Sequence, residues 1–239
     1  FIGFVFLLPF LIKDGDFKVD MSQWKFLILR NLAGIASMLL TFYAIKYLPI
    51  SIAILLMNTS ALFVPLLLFF FKVRTPLKVL ACSFMGFVGV SIIMLTNDSM
   101  NINPIHVGYA LGAAVLAAMA FISLQELNKH NSPKNIVFYF HLLGSLLLPL
   151  FFATQWIIPS AQGFVFLLLV GGFGLIFQLL LTRAFKYAPA NVITPFAFTG
   201  VIFSSLFDWL FWHNVPTLNF WIGSLVIIVS VSLLAKIRR

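Results

Sequence analysis

The chain has 239 residues, of which 62% are hydrophobic and 9% charged, and its mean hydropathy is +1.09. A soluble domain carries about 45–50% apolar and about 25% charged residues, so a water-soluble globule is excluded. A single cysteine and the lack of low-complexity tracts exclude a disulfide scaffold, collagen and disorder. The net charge of +9 does not point to nucleic acid, because the basic residues stand singly or in small groups between apolar stretches.

A membrane-crossing helix needs about 20 mostly apolar residues. The first stretch, Phe1–Ile12, is too short and lacks an initiating Met. It reads as the exit end of a helix whose start lies upstream, so the chain is expected to be an N-terminal truncation. Eight spans follow: Leu27–Tyr47, Ile50–Phe71, Leu77–Leu95, Val107–Leu127, Ile136–Thr154, Phe164–Phe185, Ala190–Trp212 and Leu218–Ala235. A β-barrel would alternate apolar and polar residues, and these stretches are continuous. The expected fold class is all-α, a polytopic membrane helix bundle.

Short loops make neighbouring spans antiparallel. Fourteen of the fifteen basic residues, from Lys13, Lys18, Lys25 and Arg30 to Lys236, Arg238 and Arg239, then fall on one side, and Lys46 alone on the other. The positive-inside rule makes the first side cytoplasmic and puts the C-terminus inside.

Slid against itself, the chain matches at an offset of 140. Ala44-Ile45-Lys46-Tyr47-Leu48-Pro49 meets Ala184-Phe185-Lys186-Tyr187-Ala188-Pro189, Gly34 meets Gly174, Thr59 meets Thr199 and Pro76 meets Pro216. The offset covers an odd number of spans, so the two copies lie upside down relative to each other. The loops agree: basic Lys72-Val73-Arg74 is replaced by Trp212-His213-Asn214. Two inverted five-helix repeats are expected, the first truncated at 1–100 and the second at 101–239. Inverted repeats mark secondary transporters, with the site near the midplane.

Two such halves and the Lys-Tyr-x-Pro connection resemble the EamA-type transporters of the drug/metabolite transporter superfamily. Arg30 through Pro49, opening on Arg30-Asn31-Leu32-Ala33-Gly34, resembles the third helix of that family. Asn214-Val215-Pro216-Thr217, followed by Gly223, resembles the loop into its tenth. The chain departs from the family at Arg74 and Asn214, where Glu often stands. The resemblance implies ten transmembrane helices, alternating access and movement of small metabolites such as amino acids, and it adds no catalytic residues. Some relatives import adenosylated or nucleotide-like metabolites.

Polar residues inside spans are the candidate ligands. Thr194, Val201, Ser205 and Asp208 share a helical stripe. Asp208 could hold an ammonium group or carry a proton. It also lies about 6 Å from Trp212 along a helix, close enough to the outer interface to be simply wet. The repeat maps this stripe onto Ser51, Asn58 and Pro65. Asn58 is either a central ligand or one end of a helix–helix hydrogen bond. A second matched pair of faces holds Gly171, Gly174 and Gln178 against Asn31, Gly34 and Met38, where small residues permit close packing and Gln178 is the large polar exception. Pro65 and Pro195 can each free a backbone carbonyl. His141 and Tyr139 read as interfacial residues at the start of a span, and Glu126 with Lys129 as a helix-end ion pair.

Enzyme readings find no support. No zinc-spaced His/Cys/Glu set, Gly-x-Ser-x-Gly elbow or phosphate loop is present, so no metal or cofactor is expected. The expected function is secondary active transport of a small polar metabolite, an amino acid or similar, across a bacterial-type inner membrane, by export. The binding residues would be Asn58, Gln178, Thr194, Ser205 and Asp208. The alternatives are uptake of a nucleoside-containing metabolite such as S-adenosylmethionine, a non-transporting membrane subunit and a passive pore. The partners expected are the small-molecule substrate, the lipid bilayer and, for a dimer, a second copy of the chain.

Overall fold

The computed structural model describes residues 1–15, 17–70, 77–94, 103–152, 157–187, 190–193, 197 and 199–237. Helices α1 to α11 run Ile2–Asp14, Trp24–Tyr47, Ile50–Asn58, Ser60–Phe70, Leu77–Met94, Pro104–Leu127, Pro133–Phe152, Ala161–Tyr187, Ala190–Ile193, Thr199–Trp212 and Leu218–Ile237. Among the described residues there is no strand. A span in lipid must satisfy its own backbone, which only helix or a closed barrel achieves.

The long helices begin and end near the bounds expected from hydropathy. Five segments are long and apolar enough to cross a membrane: Met21–Tyr47, Ile50–Phe69, Pro104–Leu127, Pro133–Phe152 and Ala161–Tyr187. The span from Ile50 tightens locally at Thr59, whose amide reaches back to Leu56 while its hydroxyl donates to the same carbonyl. Pro65, with no N–H to offer the preceding turn, follows within two turns. Of the span from Ala190, α9 and α10 are described, and Thr194, Pro195 and Phe198 lie outside the described residues.

The bounds recur at the 140-residue offset found in the sequence. Helix α2 ends at Tyr47 and α8 at Tyr187; α3 begins at Ile50 and α9 at Ala190. Helix α4 begins at Ser60 and α10 at Thr199, within one residue of the same offset.

The chain divides into two compact units, Phe1–Ile35 with Ser123–Ala188 and Ala36–Ile122 with Pro189–Arg239. In the first, Leu7 and Leu11 of α1, Val137 and Phe138 of α7 and Leu175 of α8 form the apolar core. Its polar end is tied by asparagines. Asn131 Oδ1 accepts from the Asp20 amide at 2.7 Å, Asn135 Nδ2 donates to the Lys18 carbonyl at 2.7 Å, and Asn128 Nδ2 donates to the Thr182 carbonyl at 3.1 Å. Asp20 in turn accepts from the Ser22 amide ahead of α2, and the bonds to Ser22 hold its carboxyl below the ordinary carboxylate range. Gly15 closes α1 at φ 64°, a left-handed turn that a side chain would strain. The expected Glu126–Lys129 pair is present at 2.7 Å.

In the second unit, Leu48, Ile52, Leu55, Leu56 and Leu62 pack with Val201, Phe220, Ile227 and Val231. Helix α6 buries Ala110, Ala113, Ala114, Ala117 and Ala118 on one face. Such small residues let backbones approach, and Ser37 of α2 uses that approach to donate to the Ala113 carbonyl at 2.8 Å. Helix α8 of the first unit leaves Phe164, Phe166, Val170, Phe173 and Phe177 exposed, a surface suited to acyl chains.

Candidate functional site

Arg30 stands at the seventh position of α2, about 9 Å from the helix start. Counted among the cytoplasmic charges in the sequence, it is instead only 3% exposed. Its Nη2 donates to Gln178 Oε1 of α8 at 2.9 Å. Its Cζ lies 4.4 Å from the ring centroid of Phe140 on α7, a cation–π distance. Nε is buried with no partner among the described residues. Gly34, one turn on, leaves room for the guanidinium: a Cβ there would collide with Nη1 and lie 2.9 Å from Phe140 Cε2.

Four further buried atoms of the same unit lack partners among the described residues, Asn31 Oδ1, Asn128 Oδ1, His141 Nε2 and Thr182 Oγ1. His141 corrects the interfacial reading. Helix α7 starts at Pro133, one turn earlier than expected, which moves His141 to its ninth position. The imidazole lies against α1, where a Cβ at Gly3 would fall 2.6 Å from its Cε1. The sequence placed Gln178 and the Asn31–Gly34 face on matched stripes, and the structure brings Gln178 to Arg30 of that same helix. Of the two small residues in the Gln178 stripe, Gly171 is packed, with Ile2 Cγ2 at 2.6 Å from a Cβ built there, whereas Gly174 meets nothing within 4 Å.

In the second unit Asp208 is 1% exposed, which corrects the reading of a wet interfacial carboxylate. Its Oδ1 accepts from the Ile50 amide at 3.0 Å and its Oδ2 from the Ser51 amide at 2.6 Å. These are the first amides of α3, which carry no intrahelical partner. Pro49, the residue ahead of them, has no side-chain acceptor, so the cap comes from a distant helix. Asn58 is 4% exposed, and its Nδ2 donates to the Ala197 carbonyl at 2.9 Å. That bond joins the last residue of α3 to the stretch between α9 and α10. Ser205 donates to the Val201 carbonyl at 2.7 Å, the backward bond a helical serine makes inside its own helix, and keeps an acceptor lone pair. Thr194 lies outside the described residues.

The five expected residues are thus divided. Asn58, Ser205 and Asp208 belong to the second unit and Gln178 to the first. Arg30 and the capping role of Asp208 escaped the sequence reading. The signal for Arg30 was its place inside the periodic apolar run, beside the Asn31–Gly34 face. Among the described residues no group of three His, Cys, Asp or Glu side chains could hold a metal.

Comparison with known proteins places this geometry. The chain is 26% identical over 235 residues to the pseudopaline exporter CntI of Pseudomonas aeruginosa, covering 98% of this chain and 82% of that protein. It is 28% identical to a riboflavin transporter of Brucella anthropi, covering 95% and 82%, and 24% identical to an S-adenosylmethionine uptake transporter of Rickettsia bellii, covering 95% and 78%. A solved crystal structure superposes with a TM-score of 0.66 at 16% identity, over 97% of this chain and 83% of that one, a likeness of fold. The pattern of the EamA-like transporter family matches residues 1–95 and 105–236. The chain therefore belongs to the EamA-like transporter family, whose members are multi-pass membrane proteins.

Proposed function

We propose that the chain is a secondary active transporter that exports a small polar metabolite, an amino acid or similar, across an inner membrane by alternating access. The observation that supports this reading is the match to the EamA-like transporter family over residues 1–95 and 105–236, together with the Ala-x-Lys-Tyr-x-Pro repeat at the 140-residue offset. Secondary transporters use such inverted repeats to build a site near the midplane. The repeats would occupy 1–100 and 101–239, inverted, with the C-terminus inside. Export has the support of the relative named as an exporter.

Gln178, with Arg30, is the proposed contact in the first unit. In the second, Asn58 and Ser205 are the proposed contacts, Thr194 is proposed from the sequence alone, and Asp208 positions α3 through its amides. Proteoliposome counterflow with the full-length protein tests the reading. Saturable exchange of a labelled amino acid supports a carrier, non-saturable flux indicates a pore, and no flux with any compound indicates a subunit.

A second reading, uptake of a nucleoside-containing metabolite, is favoured by the relative named as an S-adenosylmethionine uptake transporter. The same assay with labelled S-adenosylmethionine decides between them.

A further inference from the structure

Every other Lys or Arg side chain among the described residues is exposed; Arg30 alone is buried. A guanidinium removed from water needs a counter-charge or a full set of hydrogen bonds, because desolvating an unpaired ion is expensive. Arg30 has neither. The ion pair found among the described residues joins Glu126 to Lys129 and leaves Arg30 without a carboxylate. The group has five N–H donors. One bond goes to Gln178 Oε1, the Phe140 ring covers one face, and Nε is buried and unpartnered.

Gln178 is neutral, so it orients the fork without cancelling the charge. Phe140 holds the guanidinium plane from one side. Gly34, with no side chain, lets Nη1 pack against the α2 backbone beside Phe140. Asn31 Oδ1, next in the chain, is a second buried atom without a partner. The surroundings thus fix a planar cation and leave its charge uncompensated. A carboxylate would complete it, since its two oxygens match the spacing of guanidinium donors.

We propose that Arg30 binds a carboxylate of the transported metabolite and that Gln178 is its positioning residue. This rests on the transport reading and narrows the cargo to carboxylate-bearing compounds. The riboflavin-like or purely cationic cargo that an unpaired arginine would repel or ignore falls outside it.

The test uses purified full-length protein in detergent and matched pairs: amino acids against their amides, benzoate against benzamide, succinate against succinamide. Thermal unfolding is followed as each compound is titrated. At least one acid is expected to bind about tenfold more tightly than its amide, the ratio a charged hydrogen-bonded contact supplies. Arg30→Gln is expected to erase that preference. Arg30→Lys, which keeps the charge and loses the fork, is expected to weaken acid binding about tenfold. Equal stabilisation by acid and amide in the wild-type protein overturns the proposal without any variant. So does a preference that survives in Arg30→Gln, or unchanged acid affinity in Arg30→Lys. Counterflow of the same compounds separates the two readings. Acid-selective stabilisation with no flux would end the transport reading and keep the anion site; flux with no acid preference would do the reverse.

Discussion

Asp208 and Ser51 are 157 residues apart in the chain, yet the carboxylate of one accepts the backbone amide of the other at 2.6 Å. With the companion bond to the Ile50 amide, one side chain on α10 completes the first turn of α3. A carboxylate suits that place twice over, as a hydrogen-bond acceptor and as a negative charge at the positive end of the helix dipole.

Replacing Asp208 by Ala should therefore destabilise the protein by about 2–4 kcal/mol, since two buried amides lose their acceptor. Asp208→Asn should cost less, because its amide oxygen can still serve one of them. The midpoints of thermal unfolding in detergent rank the three proteins. An alanine variant as stable as wild type would show that water replaces the cap.

Asn58→Leu removes the donor to the Ala197 carbonyl. Interhelical bonds of this kind are worth about 1–2 kcal/mol or less in membranes. A small loss of thermal stability with unchanged counterflow would mark Asn58 as structural. A much larger fall in the apparent affinity for cargo than in stability would mark it as a ligand.

Gly89 and Gly174 should respond in opposite ways to alanine. A Cβ at Gly89 would lie 2.8 Å from the Gly223 carbonyl oxygen on α11, and backbone cannot swing aside. Gly89→Ala should cost about 1–3 kcal/mol, the range for overpacking a tight contact. Gly174→Ala meets open space and should be neutral or gain up to about 1 kcal/mol from helix propensity. Parallel melts of the two variants check the contrast.

The proposed inversion of the two halves predicts the sidedness of two corresponding loops. In a background with Cys82 changed to alanine, a cysteine replacing Arg74 should react with an impermeant reagent only from the cytoplasmic side. One replacing Asn214 should react only from outside. Labelling of both from one side would refute the inversion.

Hydropathy made most of the helices legible, because lipid leaves little choice of backbone and the apolar runs are long. The turn at Thr59 had a signal that hydropathy averaging passed over: Asn58-Thr59-Ser60 is a run of three polar residues inside an apolar span, and it coincides with the turn. The burial of Arg30 was not legible because a charge three residues into the expected span Leu27–Tyr47 ordinarily extends to the headgroups, and only the approach of Phe140 and Gln178 encloses it. Asp208 followed the same logic in reverse. Its neighbours Trp209 and Trp212 suggested an interface, but its partners are backbone amides, which carry no signature in a sequence.

The separation of 148 residues between Arg30 and Gln178 also orders events on the ribosome. At about 5–20 residues per second, the arginine enters the bilayer many seconds before α8 has been made. During that interval its aliphatic stem must stretch toward the headgroups and keep the cation hydrated, holding α2 displaced along the membrane normal. Only when α8 arrives can the guanidinium withdraw into protein. Helix α2 therefore reaches its final depth only after α8 has been made.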